Sequence, residues 1–144
     1  VWRFWPSHEN KGVLTMSFSN TFETHVLNYV FTATSVTRPT AWYVALFTSN
    51  PAEDASGTEV STSGTAYVRK TVSFTVSGNL ATNSGAVEFP TATGSGFGTV
   101  THIGVFDAST SGNLIAYSAL SASKAIAAGD VFRIPTGDLD ITLD

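Results

Sequence analysis

The sequence predicts a mainly β protein, an antiparallel β-sandwich of jelly-roll-like or Ig-like type that carries one N-terminal amphipathic helix. Two segments, Trp42–Thr48 and Gly98–Ala108, are apolar on both alternating faces, which is typical of strands in the middle of a sheet. Other short apolar segments follow at near-regular spacing, separated by Gly, Pro and Asn. This spacing is typical of antiparallel sandwiches and barrels.

In the first central segment we expect Trp42, Val44 and Leu46 on one face. In the second, Val100, His102 and Phe106 are expected on one side of the strand and Ile103 and Val105 on the other.

The helix is predicted from a change in the period of the apolar residues between residues 20 and 31. One side of a helix would collect five of them: Phe22, Val26, Leu27, Val30 and Phe31. Asn20 is the expected N-cap, because Glu23 follows three residues later as in a capping box.

The remaining strands follow a long polar loop over residues 49–65. Tyr67–Val76 alternates and predicts one half-exposed strand, with four residues on its core face: Val68, Val72, Phe74 and Val76. Shorter strands are expected at Leu80–Ser84, Ala86–Phe89, Leu114–Leu120 and Val131–Ile134. In the last strand the inward side chains are expected to be Leu139, Ile141 and Leu143.

Composition limits the classes of protein that this chain can be. Its 144 residues suit a single domain over 16–144 that is large enough to form a core without metals or disulfides. The absence of cysteine excludes thiol catalysis, zinc–thiolate sites and disulfide frameworks. The longest apolar run, Ala41–Phe47, is far shorter than the roughly 20 residues of a membrane helix, so no membrane insertion is expected.

The charge of the chain argues against nucleic acid as a partner. The net charge is -4 and the seven basic residues are scattered, so the basic surface typical of duplex binding is missing. Only 12% of the residues are charged, against roughly 25% in typical soluble domains. A surface of Ser, Thr and Asn repels neighbouring molecules weakly, which favours a subunit held in an assembly.

Residues 1–15 differ in character from the rest of the chain. Val1–Pro6 contains two of the three tryptophans. One interpretation is an aromatic arm that docks on a neighbouring subunit. The other is a translated leader upstream of Met16, because codons for Lys11–Val13 can contain a ribosome-binding sequence. The interface predicted for an arm and the adjoining helix consists of Trp2, Phe4, Trp5, Phe18 and Phe22.

No residue pattern predicts catalysis, a metal site or a cofactor. His102 stands alone on a covered strand and is predicted to be a buried neutral histidine rather than a ligand. Asp138, Asp140 and Asp144 share a strand face, which favours a charged sheet edge over a cation site. The segment Gly94–Gly98 precedes a strand, so it lacks the helix N-terminus of a phosphate loop. No Gly-x-Ser-x-Gly elbow occurs.

Seven short blocks occur in order along the chain: Tyr43–Thr48, Gly57–Val60, Tyr67–Arg69, Ala86–Pro90, Thr101–Asp107, Gly112–Leu114 and Ala128–Asp130. Together they resemble small virion proteins of tailed bacteriophages that are commonly labelled phage tail-fibre proteins, over nearly all of residues 17–144. The resemblance implies a non-enzymatic structural subunit of the virion, of tail-fibre type or decorating the capsid. The aromatic arm and the low charge predict self-association. We therefore expect a homo-oligomer that joins other virion proteins and assembles in the cytoplasm of a bacterial host.

A carbohydrate-binding module that attaches to a host surface glycan is the alternative. It requires an exposed aromatic platform formed by Trp42, Tyr43 or Tyr67, whereas the strand period of these residues favours core packing. A small hydrolase, the third possibility, requires a pocket with convergent polar groups.

Overall fold

A computed structural model describes residues 17–143 and contains three antiparallel sheets and one helix. It confirms the predicted mainly β class and is consistent with a sandwich. The elements are β1 Ser17–Phe18, α1 Asn20–Phe31, β2 Trp42–Phe47, β3 Lys70–Val72, β4 Phe74–Ser77, β5 Leu80–Asn83, β6 Val87–Glu88, β7 Gly98–Phe106, β8 Leu114–Ile126, β9 Arg133–Ile134 and β10 Asp140–Thr142. The interpretations of residues 1–15, Met16 and Asp144 lie outside the described residues.

The largest sheet has five strands in the order β1-β8-β7-β2-β3, so β7 lies in its centre with β2 beside it. Both strands predicted to be central are therefore confirmed. Leu46 pairs with Ile103, and both side chains enter the main core. On the other face of the sheet a smaller core forms from Ala45, Phe47, Phe106 and Leu114. The remaining strands form a three-stranded sheet, β10-β5-β4, and a two-stranded sheet, β6-β9.

An irregularity in β7 and β8 changes the face of one predicted residue. Val100 pairs with Lys124 but His102 pairs with Ala119, so β8 contributes extra residues between these two pairs. Val100 and Ile103 both belong to the main core although they are an odd number of residues apart, so strict alternation along β7 does not hold at this register shift. The prediction that they lie on opposite faces was wrong. β8 also continues to Ile126, beyond the predicted end at Leu120.

The predicted strand Tyr67–Val76 is divided into two strands that belong to different sheets. β3 pairs with β2, whereas β4 pairs with β5, and Ser73 separates them. One face cannot stay on the core while the chain crosses between sheets. Val68 and Val76 are therefore 50% and 73% exposed, and their predicted burial was wrong. Val72 is buried and Phe74 is half-buried.

The last strand keeps its predicted core side only at its start. Leu139 is fully buried, Ile141 is half-buried and Leu143 is 57% exposed, so the prediction was wrong at Leu143. Asn83 on β5 fixes this end of the chain. Its side chain accepts a hydrogen bond from the Leu139 amide at 2.8 Å and donates to the Pro135 carbonyl at 2.9 Å.

Candidate functional site: the helix face and the apolar groove

The start of α1 is hydrogen-bonded to β8, a strand of the large sheet. Ser19 is extended, and its hydroxyl oxygen accepts a hydrogen bond from the Phe22 amide at 3.2 Å, so Ser19 is the N-cap. The prediction of Asn20 as the cap was wrong, although the predicted helix bounds, residues 20–31, are confirmed. The Ser19 hydroxyl also donates to the Leu114 carbonyl, and its amide donates to the Ile115 carbonyl at 3.0 Å. These contacts with β8 hold Ser19 in the position from which its side chain caps the helix.

Beyond this attachment, α1 shows no fully buried residue. Phe22 and Val26 are half-buried against the domain, but three residues of the predicted stripe face solvent. Leu27 is 58%, Val30 is 59% and Phe31 is 77% exposed. These three residues, spaced i, i+3 and i+4, form what we call the exposed helix face. Contiguous exposed apolar surface of this kind typically marks an interaction site.

Two of the predicted interface residues come together at the entrance to the helix. The rings of Phe18 and Phe22 are stacked, with centroids 4.7 Å apart. Both rings are half-buried. The other predicted interface residues, Trp2, Phe4 and Trp5, lie outside the described residues.

Phe18 and Phe22 line a surface depression of about 530 Å³ between the large sheet and the three-stranded sheet. We call it the apolar groove, and its principal lining side chains are Phe18, Phe22, Trp42, Phe74, Val76 and Leu143. Val76 and Leu143 are 73% and 57% exposed, so the groove is bordered by apolar side chains that the domain itself leaves uncovered.

A second depression, of about 350 Å³, lies between α1 and the rest of the domain. Its lining includes Phe22, Val26, Tyr29, Pro39 and Leu114. Asp107 and Asn113 at its rim bind each other, because the Asp107 carboxylate accepts hydrogen bonds from the Asn113 amide at 2.7 Å and from its side chain at 2.8 Å. Asp107 and Asn113 are therefore hydrogen-bonded to each other at this rim.

The residues that could carry chemistry lie apart from one another in the fold. His102 is half-buried rather than fully buried, and its Nδ1 lies 2.9 Å from the Thr101 hydroxyl. Burial lowers the pKa of His102, which favours the neutral ring that the sequence predicts. Asp138 and Asp140 are half-buried. Among residues 17–143 no group of three or more His, Asp or Glu side chains is placed to hold a metal ion.

The three aromatic residues proposed as a glycan platform are placed differently. Tyr67 is 1% exposed, and its hydroxyl accepts a hydrogen bond from the Leu46 amide at 2.9 Å, so its ring is removed from any platform. Tyr43 is half-buried and pairs with Phe106 on the opposite face of the sheet from Trp42. Trp42 is half-buried in the apolar groove, with the Arg38 guanidinium 5.9 Å from its ring centroid.

A polar network that the sequence analysis missed joins the long loop to the turn between β7 and β8. The Arg69 guanidinium donates to both carboxylate oxygens of Glu59, at 2.9 and 2.8 Å. It also donates to the carbonyls of Ala108 and Ser111 at 3.0 and 2.7 Å, and lies 3.7 Å from the centroid of the Phe106 ring.

Tyr67 completes this Glu59–Arg69 network, because its hydroxyl donates to Glu59 at 2.8 Å. Burial raises the pKa of Tyr67, so the hydroxyl keeps the proton that it donates. The available signal was that Glu59 and Arg69 both fall inside blocks that carry the family resemblance.

A β-domain that leaves apolar side chains exposed on a helix and in a groove beside it has the features of a structural subunit that binds other proteins. The family model described as Podophage GP4 fiber I protein gp80 matches residues 17–142. The chain belongs to that family and is a structural fibre protein of a tailed phage, as the resemblance implied. The comparison with curated proteins gave no match. Over residues 17–143 no helix has the length and apolar character required to cross a membrane.

Proposed function

We propose that this protein is a non-enzymatic structural subunit on the surface of the phage particle. It assembles in the host cytoplasm and joins other virion proteins and further copies of itself through the exposed helix face and the apolar groove. The observation that carries the proposal is the exposure of Leu27, Val30 and Phe31 on a helix whose start is firmly bound to β8.

A partner that covers the exposed helix face would gain free energy by burying its apolar side chains. Full burial of a large apolar side chain contributes about 1.5–3 kcal/mol. Since Leu27, Val30 and Phe31 are still 58–77% exposed, a partner gains about 1–2 kcal/mol from each of them. The same side chains add little to the stability of the isolated domain, so their apolar character is better explained by a partner than by the fold.

The position of the helix supports attachment of the whole domain. Three backbone or hydroxyl hydrogen bonds connect Ser19 and Asn20 to β8 and to the long loop, the last of them from the Asn20 amide to the Glu53 carbonyl at 3.2 Å. A contact made by α1 is therefore transmitted to the large sheet rather than to a loosely tethered segment. A rigid connection between the contact surface and the sheet is what we expect of a domain that is attached to a particle through α1.

The proposal is tested by incorporation into particles. Phage carrying Leu27→Lys and Val30→Lys together are purified, and the amount of this protein per particle is measured by quantitative mass spectrometry. We expect at least a tenfold loss of incorporation, while the isolated variant keeps its thermal midpoint because both positions are exposed and Lys is a good helix former.

The matched control is Val131→Lys, which adds the same charge at a valine that is 47% exposed away from α1. It should be incorporated normally. Normal incorporation of the double helix variant would overturn attachment through this face, and absence of the unaltered protein from purified particles would overturn the virion function itself.

Carbohydrate binding retains one supporting observation, the half-buried Trp42 beside Arg38 in the apolar groove. The test is a glycan array probed with the isolated protein and with Trp42→Ala. Specific binding that the substitution abolishes would favour receptor attachment as a further role. Equal signals for both proteins would remove it.

A further inference from the structure

We propose that the apolar groove of each copy binds the N-terminal aromatic segment, Val1–Pro6, of a second copy of this chain. The inference rests on the proposed function and names the partner of one of its two surfaces. The exposed helix face then remains available for other virion proteins.

The groove has the size and chemistry of a site for aromatic side chains. Its volume of about 530 Å³ lies within the range of about 300–1,000 Å³ that is usual for ligand pockets. Four of its lining residues are aromatic: Phe18, Phe22, Trp42 and Phe74. All four are half-buried, so each presents part of its ring to an incoming group, and no described side chain fills the space between them.

The segment Val1–Pro6 is complementary to this lining. Three of its six residues are Trp2, Phe4 and Trp5. Large aromatic side chains anchored in desolvated pockets dominate the affinity of protein interfaces, and Trp and Arg are the residues most enriched at such positions. Ring pairs also add a directional preference, edge-to-face or offset stacking, which the Phe18–Phe22 pair already shows on the groove side.

The direction of the chain at β1 favours exchange between copies. Ser17 pairs with Tyr117 and Phe18 with Ala116, so the chain enters β1 from the side of Ser118 and leaves it toward the groove. Phe18 lines the groove, whereas Ser17, the first described residue, does not. An extended chain covers at most about 3.6 Å per residue, so the twelve residues between Trp5 and Phe18 can span roughly 40 Å.

That reach is comparable to the diameter of a domain of this size. It is enough to bring Trp2, Phe4 and Trp5 to a neighbouring copy. Exchange of an identical segment between copies is a low-cost route to a closed oligomer, because each copy gives one arm and receives one.

The test uses the full chain and sedimentation velocity over a range of concentrations. The arm variant replaces Trp2, Phe4 and Trp5 with Ser. The groove variant carries Val76→Lys and Leu143→Lys, both at exposed positions that the fold tolerates. We expect each variant alone to self-associate at least about 100-fold more weakly than the unaltered chain, while Val131→Lys associates normally.

Mixing the two variants identifies the arrangement. The arm variant has an open groove and the groove variant has an intact arm, so the mixture should form a heterodimer held by one arm–groove contact. This heterodimer should be weaker than the unaltered dimer but stronger than the self-association of either variant. Unchanged association of the arm variant, or a mixture that stays monomeric, would overturn the inference. Detection of a native protein that begins at Met16 would overturn it as well.

The outcome is separable from that of the proposed function. If the arm and groove variants self-associate as strongly as the unaltered chain while Leu27→Lys with Val30→Lys is still lost from particles, the exchange between copies fails and the structural role stands.

Discussion

The Glu59–Arg69 network allows a stability effect to be worked out from geometry. Arg69→Ala removes four hydrogen bonds, two of them to a carboxylate, together with a guanidinium that covers the Phe106 ring. The Arg69 side chain is only 8% exposed and that of Glu59 is 28% exposed. Removing one partner of a buried ion pair costs about 3–5 kcal/mol, because the other charge is left unpaired. Partial solvation of Glu59 places the expected loss at about 3 kcal/mol.

The chain supplies a matched control for this substitution. Arg133 and Glu88 also form an ion pair, at 3.5 Å, but their side chains are 51% and 63% exposed. Exposed pairs contribute about 0–1 kcal/mol, so Arg133→Ala should cost less than about 1 kcal/mol. Arg69→Lys, which keeps the charge but loses the bidentate geometry, should fall between the two.

The assay is equilibrium unfolding in urea, with the free energy of unfolding extrapolated to water and the slope checked for constancy. In a double-mutant cycle with Glu59→Gln, the coupling between the two positions should reach at least about 1.5 kcal/mol. Equal losses for Arg69→Ala and Arg133→Ala, or a loss below about 1 kcal/mol for Arg69→Ala, would refute the reasoning.

Three further predictions concern other parts of the domain. Asn83→Ala should lower the free energy of unfolding by about 2–4 kcal/mol, because it leaves the buried Leu139 amide without its acceptor; a loss below 1 kcal/mol in urea would contradict this. Gly96→Ala should lower the thermal midpoint more than Gly129→Ala. Both glycines have positive φ, but only at Gly96 would the new Cβ lie 2.3 Å from a backbone oxygen. Similar thermal midpoints for the two variants would contradict this prediction. Burial lowers the pKa of His102 in the folded state, so the unfolded chain binds more protons and the free energy of unfolding should fall as the pH drops below about 6.5. His102→Gln should make the free energy of unfolding depend less steeply on pH in this range. An unchanged pH dependence would exclude His102 as its source.

The features that could be predicted from the sequence are those fixed by local periodicity. The helix over 20–31 follows from the spacing of its apolar residues, and the two central strands follow from segments that are apolar on both faces. The predicted N-cap differs from the observed one by one residue, because Ser19 and Asn20 are both good capping residues. Contact of Ser19 with β8, a segment far away in the chain, decides between them.

The features that escaped prediction depend on contacts between distant segments. The break at Ser73 exists because the chain changes sheets there, which alternation alone does not show. The pairing of Glu59 with Arg69 depends on how the loop over residues 49–65 folds back on β2. Exposure of Leu27, Val30 and Phe31 was also missed, since an apolar stripe has the same pattern whether it covers its own core or a partner.

Cryo-electron microscopy of the intact phage particle, at a resolution that traces the backbone, tests the central claim most directly. We expect copies of this domain on the particle with Leu27, Val30 and Phe31 covered by a neighbouring chain. A particle in which the domain is present but this face of α1 remains in solvent, or from which the domain is missing, would contradict it.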